Sequence, residues 1–425
     1  MRLFKYGLVL LVWLSAMGMA SAHVNPNLQK ATKPKKEQAD RASYRMDCEL
    51  STRGRDMAVN NVRSRLLTGG DLWWDGSNGN YIVPRVPEGS GLEEVAAIFA
   101  GAVWLGGIDP GNNLKVACQT YGRSSGQTDF WSGPLTDEGQ VGVDTCVNWD
   151  RFFVVAETNI IKHRRAWEDA VAANGGDTSG VELDPGTIPE DVRGWPGLGN
   201  PYFFDIHGFE LPSGNKGFNG LAGFWDEGGQ IGIYEPQLGD FPIIQIRGCD
   251  ENQFPPTEQT FYCYNDAGGI HTESNGDQIQ MEIQVQAFAY TTNDQINDMT
   301  FQRYRLINRA IEIIDSTYFA MWVDPDLGCF RDDFVCCDTS RSLAFVYIAD
   351  DLDGEATCND CGAGVATYCT EIPALGVDYF RGPLDEFGEE IGMSSFTYYD
   401  NGGYNPIQAM TDPQEAIEYY NYLSG

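Results

Sequence analysis

The chain has 425 residues, of which 12% are aromatic and 21% are charged, and 49 of them are glycine. This composition excludes a disordered chain and is typical of a folded, turn-rich protein of two or three domains. With 28 basic and 61 acidic residues the formal net charge is −33. Such a surface repels a phosphate backbone, so we expect no nucleic-acid partner.

The N-terminus has the pattern of a secretory signal peptide over residues 1–22. Arg2 and Lys5 precede an apolar run from Tyr6 to Met19, and Ala20-Ser21-Ala22 forms a small-x-small cleavage site. We expect recognition by export machinery and cleavage after Ala22. The apolar run is short for a bilayer span, and no later stretch holds the ~20 apolar residues of a spanning helix. The mature chain is therefore predicted not to span a membrane, and to be secreted or held at the outer cell surface.

Short alternating runs broken by Gly, Asn, Asp and Pro predict a mostly β fold, with antiparallel β-sandwich modules and one or two short helices. The predicted organisation is a signal peptide (1–22), a flexible lead-in (23–47), a first β-rich module (48–156), a helix with a Gly/Pro-rich connection (157–220) and a second β-rich, Cys- and Asp-rich module (221–425).

The clearest elements are two helices and one hairpin. Apolar spacing predicts a helix over 160–173. Alternation over 279–287 predicts a strand with one buried and one wet face, and a second strand over 301–308 completes a hairpin. Asp412 and Pro413 predict the start of a last helix that reaches Leu423. Because the chain stops just after this helix, we expect it to be cut from something longer.

Eleven cysteines lie in the exported part of the chain, and disulfides are the expected state outside the cytoplasm. The expected pairs are Cys249 with Cys263, Cys118 with Cys146, Cys329 with Cys336 or Cys337, and Cys369 with Cys358 or Cys361. The odd count leaves at least one thiol without a partner in the chain. A zinc site using Cys336, Cys337, Cys358 and Cys361 is an alternative.

Two acidic clusters are candidate calcium sites, because calcium takes six to eight oxygen ligands and loops rich in Asp can supply them. The first contains Asp324, Asp326, Asp332, Asp333 and Asp338, and the second contains Asp350, Asp351 and Asp353. If 318–323 and 342–349 pair as a hairpin, the clusters lie at opposite ends, roughly 20–25 Å apart at ~3.3 Å per residue. We therefore predict two separate sites.

Catalytic signals are weaker. Paired carboxylates together with Trp73, Trp74, Trp104, Trp131 and Trp195 would suit a glycosidase, although tryptophans of β-rich proteins more often lie in the core. The string Gly122-Arg-Ser-Ser-Gly126 matches a nucleophile elbow literally. The residues after it cannot form the helix that an elbow requires, so we interpret it as a turn. None of the four histidines has supporting context.

Several segments together resemble the N-terminal region of secreted and surface proteins of Bacteroidota-type bacteria, which usually carry a C-terminal type IX secretion sorting domain. They are 65–75, 102–109, 129–135, 195–202, 322–328 and 378–383, in one order within residues 48–423. The resemblance implies an extracellular location and a β-rich fold rather than an activity. A calcium-type loop of that family keeps Asp226 here but reads Gly228-Gly229-Gln230 in its middle, which removes oxygen ligands.

These features predict a secreted or cell-surface binding or structural protein, stabilised by disulfides and by calcium, with glycans or other surface proteins as partners. The alternative is a secreted carbohydrate-active hydrolase that uses an Asp/Glu pair.

Overall fold

The structure is a computed structural model, and it describes residues 48–212, 232–244, 255–362, 364–385, 387–399 and 411–425. The predicted signal peptide, lead-in, Asp226 loop and Cys249 lie outside these ranges. The described strands pair antiparallel in three sheets, which confirms the predicted mostly β, antiparallel fold.

The strands, in chain order, are β1 (Gly54–Met57), β2 (Arg63–Leu67), β3 (Asp71–Leu72), β4 (Tyr81–Ile82), β5 (Ala96–Ile98), β6 (Ala100–Ile108), β7 (Leu114–Ala117), β8 (Trp131–Ser132), β9 (Phe153–Ala156), β10 (Glu258–Asn265), β11 (Met281–Ala289), β12 (Phe301–Asn308), β13 (Asp315–Asp324), β14 (Asp333–Asp338), β15 (Leu343–Ile348) and β16 (Leu375–Asp378). The first sheet has the order β13-β6-β3-β2-β4-β5, with β1 beside β2 and β7 beside β6. The second has the order β12-β11-β10-β8, with β9 beside β10, and the third is β14-β15-β16.

The two large sheets share one hydrophobic core. It joins Leu66 and Val103 of the first sheet to Tyr262 and Val285 of the second. The third sheet adds Val346 to the same core. Each large sheet draws strands from both predicted modules, because β13 lies in the first sheet while β8 and β9 lie in the second. The segments 48–156 and 221–425 are therefore interleaved and do not form separate sheets.

The predicted hairpin is confirmed as β11 and β12, with Met281 opposite Asn308 and Phe288 opposite Phe301. The expectation of a wet face on β11 is wrong, since all nine residues of the strand are buried. Its polar face is covered and satisfied: Glu282 accepts from Arg309, and Gln286 donates to the Ile243 carbonyl at 2.7 Å. An alternating sequence pattern does not show whether the polar face of a strand is exposed to water or covered by other polar side chains.

The helices of the described ranges are α1 (Val143–Trp149), α2 (Glu157–Ala173), α3 (Glu190–Arg193), α4 (Phe203–His207) and α5 (Ala416–Ser424). The two longest, α2 and α5, are the helices that the sequence predicts. α5 begins at Ala416 and not at Pro413, because Glu415 and Glu418 form a capping box. None of the described helices combines the length and apolar character needed to cross a membrane.

α5 covers the outer face of the first sheet. Tyr419, Tyr420 and Leu423 pack in a core with Trp104 of β6. The close approach depends on Gly106, where an added Cβ would lie 2.8 Å from Tyr420 and 2.9 Å from Leu423. β6 is consequently buried on both faces, which explains its nearly continuous apolar sequence.

Candidate calcium site and aromatic face

Four of the predicted aspartates meet beside the third sheet: Asp326, Asp332, Asp333 and Asp353, here called the aspartate cluster. β14 pairs with β15 so that Asp333 lies opposite Ile348, and the loop after β15 returns to the start of β14. The hairpin expected between 318–323 and 342–349 is not formed, since β13 pairs with β6. The prediction that the two acidic clusters lie far apart is therefore wrong, because Asp353 joins members of the first.

Main-chain donors fix three of the carboxylates. Asp353 is fully buried, and its oxygens accept from the N–H groups of Cys329 and Tyr368. Asp332 Oδ2 accepts from Gly354 N at 2.7 Å, and Asp333 Oδ2 accepts from Leu327 N at 3.0 Å. These bonds join the connection between β13 and β14 to the loop after β15.

Two carboxylate oxygens of the cluster are buried without a hydrogen-bond partner among the described residues, Asp332 Oδ1 and Asp333 Oδ1. A buried acceptor without a partner is costly and is normally matched by a donor, a water or an ion. These atoms are therefore available as ligands.

The cluster is also electrostatically strained. Burial and the charges of Asp324 and Asp333 raise the pKa of Asp326 to about 7. Burial and the charges of Asp332, Asp353 and Asp324 raise the pKa of Asp333 to about 7, although Leu327 N–H opposes this. Carboxylates this close do not all ionise readily without a counter-ion. A divalent cation with oxygen preference would supply that charge, so the donor set fits calcium.

Asp324 is near the cluster but serves a different contact. Its Oδ2 accepts from the Tyr121 hydroxyl at 2.7 Å. Burial raises its pKa to about 6, Tyr121 opposes the shift, and the charge of Asp412 adds to it. Asp324 therefore ties β13 to the turn at Tyr121.

The other predicted ligands lie elsewhere. Asp338 ends β14 and accepts from Ser340 and Arg341 in the turn, and these hydrogen bonds lower its pKa. Asp350 and Asp351 are exposed and line a cavity of about 350 Å³.

Three disulfides are present among the described residues: Cys48–Cys146, Cys329–Cys361 and Cys358–Cys369. The last is one of the two pairs expected for Cys369. Cys329–Cys361 ties the loop after β15 to Cys329, which lies between Asp326 and Asp332. Cys358–Cys369 lies within that loop. The sulfur of Cys329 lies near Asp332 and Asp353, but as part of a disulfide it offers no thiolate to a metal.

Other expected pairs are corrected. Cys118 is a buried thiol at the end of β7, while Cys146 lies on α1 beside Cys48. Cys336 and Cys337 remain free in β14, whose extended course carries them away from Cys329. Cys263 is a buried thiol of β10, and its expected partner Cys249 lies outside the described residues.

The zinc alternative is not supported by the thiols on which it was based. Cys358 and Cys361 are both bound in disulfides, so they cannot act as thiolate ligands.

The third sheet presents an aromatic face that sequence analysis did not single out, here defined as Phe334, Phe345 and Tyr347. Phe334 lies opposite Tyr347 across β14 and β15, with ring centroids 5.8 Å apart, and the Phe345 and Tyr347 centroids are 6.0 Å apart. Phe334 is 52% exposed and Tyr347 39% exposed. Gly376 lies opposite Phe345, which leaves this side of the ring open. The other face of the sheet carries Val346 and supports the core.

Tyr347 also forms one wall of the cavity that contains Asp350, Asp351 and Thr370. The aromatic face therefore continues into this cavity, here called the recess, which presents carboxylate and hydroxyl groups. The alternating pattern of β15 could have indicated two faces, but not which of them stays exposed.

The candidate catalytic groups have structural roles. The five tryptophans considered for sugar stacking are all buried: Trp73, Trp74, Trp104, Trp131 and Trp195. Gly122–Ser125 is a short 3-10 turn, in which the Ser124 hydroxyl donates to the Tyr121 carbonyl at 3.0 Å. The interpretation of this string as a turn is confirmed.

Comparison with family models, curated proteins and solved structures finds no match for this chain.

Proposed function

We propose that this chain is an extracellular, calcium-stabilised glycan-binding protein. The observation that carries the proposal is the aromatic face and its continuation into the recess at Asp350 and Asp351. Sugar rings present C–H faces that pack on exposed aromatic rings, while their hydroxyl groups donate to carboxylates. A row of rings ending at paired acids offers both kinds of contact.

Calcium would act at the aspartate cluster and stabilise the recess indirectly. Asp353 belongs to the same loop as Asp350 and Asp351, and this loop is fixed by Cys329–Cys361. A cation held by Asp326, Asp332, Asp333 and Asp353 would relieve their mutual repulsion and hold the loop against β14. Glycan affinity is therefore expected to rise with calcium.

The test is a glycan array probed with the full mature chain, with and without calcium, followed by titration of the best ligand. Tyr347→Ala should weaken binding about two- to tenfold, because an aromatic contact contributes about 0.5–1.5 kcal/mol. Phe387→Ala is the matched control, since this ring is 82% exposed and lies outside the aromatic face. Equal losses in both variants, or no glycan bound, would refute the proposal. Attachment to cells without glycan binding would favour a surface-protein partner instead.

The hydrolase alternative makes a different prediction for the same recess. Release of reducing sugar, abolished by Asp351→Asn with glycan binding retained, would establish it in place of a binding role.

We infer export to the cell surface or medium from the signal-peptide pattern, together with the three disulfides, which form in oxidising compartments. The type IX route is the expectation that the family resemblance adds. N-terminal sequencing of the native protein should begin at His23. A cytoplasmic protein that retains Met1 would contradict the inference.

A further inference from the structure

Three arginines line a cavity of about 490 Å³, formed by the start of β1 and the connection from α1 to β9. They are Arg53, Arg55 and Arg151, and the wall includes Phe152 and Val154. A concentration of positive charge is unexpected in a chain with a net charge of −33. The cavity is independent of the aromatic face and of the aspartate cluster.

Two of these arginines have no carboxylate in ion-pair contact within the part of the chain that the structure describes, Arg53 and Arg151. The Arg151 guanidinium lies 4.8 Å from the centre of the Phe209 ring. Burial lowers the pKa of Arg151, and the charge of Arg53 lowers it further. The two cations are therefore close enough to repel each other.

The nearest carboxylate in sequence is engaged elsewhere. Asp150 Oδ2 accepts from Thr52 N at 3.0 Å and from Thr52 Oγ1 at 2.8 Å. Asp150 Oδ1 accepts from Arg53 N at 3.2 Å and from the Thr68 hydroxyl. Its acceptor capacity serves the main chain before β1 and leaves both guanidinium groups unneutralised.

The other acids at the cavity are also committed. Asp56 pairs with Arg63 at 3.3 Å and with Arg65. Glu258 pairs with the Arg55 terminal nitrogen at 2.6 Å. Arg55 Nε is buried and has no hydrogen-bond partner among the described residues. The cavity thus contains two guanidinium groups without a paired carboxylate in the described part of the chain, those of Arg53 and Arg151. It also contains the Arg55 Nε–H donor, which has no acceptor among the described residues.

We propose that this cavity binds an oxyanion, a sulfate, phosphate or carboxylate group, between the guanidinium groups of Arg53 and Arg151. Guanidinium groups bind such anions through two parallel N–H···O bonds, and neutralisation would remove the repulsion between the two arginines. Phe152 and Val154 would contact the apolar part of the molecule that carries the anion. The surrounding negative field disfavours long polyanions, so the ligand carries one compact anionic group.

The test uses inorganic sulfate titrated into the full mature chain at constant ionic strength, with chloride as the balancing anion. Arginine Nε–H signals in NMR report binding. We expect saturable shifts for Arg53 and Arg151, and at least tenfold weaker binding in R53Q/R151Q.

R341Q is the matched control, because Arg341 is exposed and pairs with Asp338 in a distant turn. Arg53 is itself exposed, so R53Q alone reports binding even if the double variant unfolds. Unsaturable shifts, or equal binding by R53Q and the parent chain, would overturn the proposal.

The source of the anion is distinguished by parallel titrations with glucose 6-phosphate, glucose 6-sulfate, glucuronate and glucose. Tighter binding of one charged sugar than of inorganic sulfate supports a sugar-borne anion, and equal binding supports a simple oxyanion site. Glucose binding as tightly as the charged sugars, and unchanged in R53Q, would exclude recognition of charge.

Discussion

The Nδ1 atom of His271 lies 3.8 Å from Asp129 Oδ2, and neither side chain is exposed to solvent. On the other side of the ring, Nε2 lies 3.7 Å from Asp266 Oδ2. Each ring nitrogen is also 2.7 Å from a main-chain carbonyl oxygen, that of Val116 for Nδ1 and that of Asp266 for Nε2. Because carbonyl oxygens only accept, both nitrogens must donate, and His271 is a buried imidazolium.

We predict that H271Q destabilises the fold by about 3–5 kcal/mol, since it leaves buried carboxylates without their cation. Burial alone would lower the pKa of His271, but Asp129 and Asp266 outweigh it and raise the pKa above 6.5. A raised histidine pKa contributes stability that is fully present below the unfolded value and is lost as pH rises through the folded value. Chemical denaturation across pH 5–9 measures this loss.

His163 provides the internal contrast for that experiment. It is buried, and burial lowers its pKa despite its contact with the Asp240 carbonyl. NMR at pH 7 should show two ring protons on His271 and one on His163. A neutral His271 would contradict the buried-imidazolium assignment.

At the aspartate cluster, we predict that millimolar calcium raises the Tm of the parent chain. A ligand at 100 times its Kd contributes about 2.7 kcal/mol. Asp333→Asn should abolish the calcium response and yet stabilise the calcium-free protein, because it removes a like charge while Asn can still accept from Leu327 N–H. Asp338→Asn should keep the full response, since Asp338 lies in the turn. A loss of response in both variants would point to a general salt effect.

Asp240 also makes the stability of the fold depend on pH. Burial raises its pKa to about 6, the Glu235 N–H opposes this, and the charge of Glu235 adds to it. The ordinary pKa of this group is 3.8. The free energy of unfolding is therefore predicted to fall by at most about 3 kcal/mol as pH rises from 4 to 7, because the unfolded chain releases the proton at a lower pH than the folded protein. Asp240→Asn should remove this loss, while Asp205→Asn, on an exposed side chain, should not. Identical pH profiles for the parent chain and Asp240→Asn would refute the assignment.

The polar layer outside β11 depends on a buried ion pair. Glu282 and Arg309 are 0% and 2% exposed, with Arg309 Nη2 2.9 Å from Glu282 Oε2. Glu282→Gln should cost about 1.5–3 kcal/mol, because Arg309 loses its buried charged partner and keeps the ion pair with the half-exposed Asp137. Glu312→Gln, at a neighbouring position outside the described ion pairs, serves as control. Urea denaturation with an unchanged midpoint for Glu282→Gln would contradict the role of this pair.

Thiol chemistry tests the disulfide pattern. Peptide mapping without reduction should recover Cys48–Cys146, Cys329–Cys361 and Cys358–Cys369. A thiol reagent should label Cys336 in the native protein, whereas Cys118 and Cys263 should react only after unfolding, because both are buried and burial raises the pKa of each thiol. Native labelling of Cys118 would contradict the packing around β7.

Local sequence was a good guide where the structure depends on neighbours along the chain. The alternation in 279–287 and the periodicity in 160–173 correspond to β11 and α2, since strand and helix periods are properties of short segments. Turn chemistry likewise predicted that Gly122–Gly126 is a turn. The overall antiparallel β class follows from such local signals.

Tertiary packing brings together residues that lie far apart in the sequence. β13 joins β6, so β15 pairs with β14 and brings Asp353 to Asp333. Other long-range contacts bury His271 between two carboxylates and place Arg53 beside Arg151. No local pattern encodes these contacts, because strand partners are selected by the burial of whole sheet faces and not by the sequence of either strand alone. The acidic character, the strand and helix segments and the export pattern can be read from local sequence. The candidate sites form only when residues that are distant in the sequence are packed together.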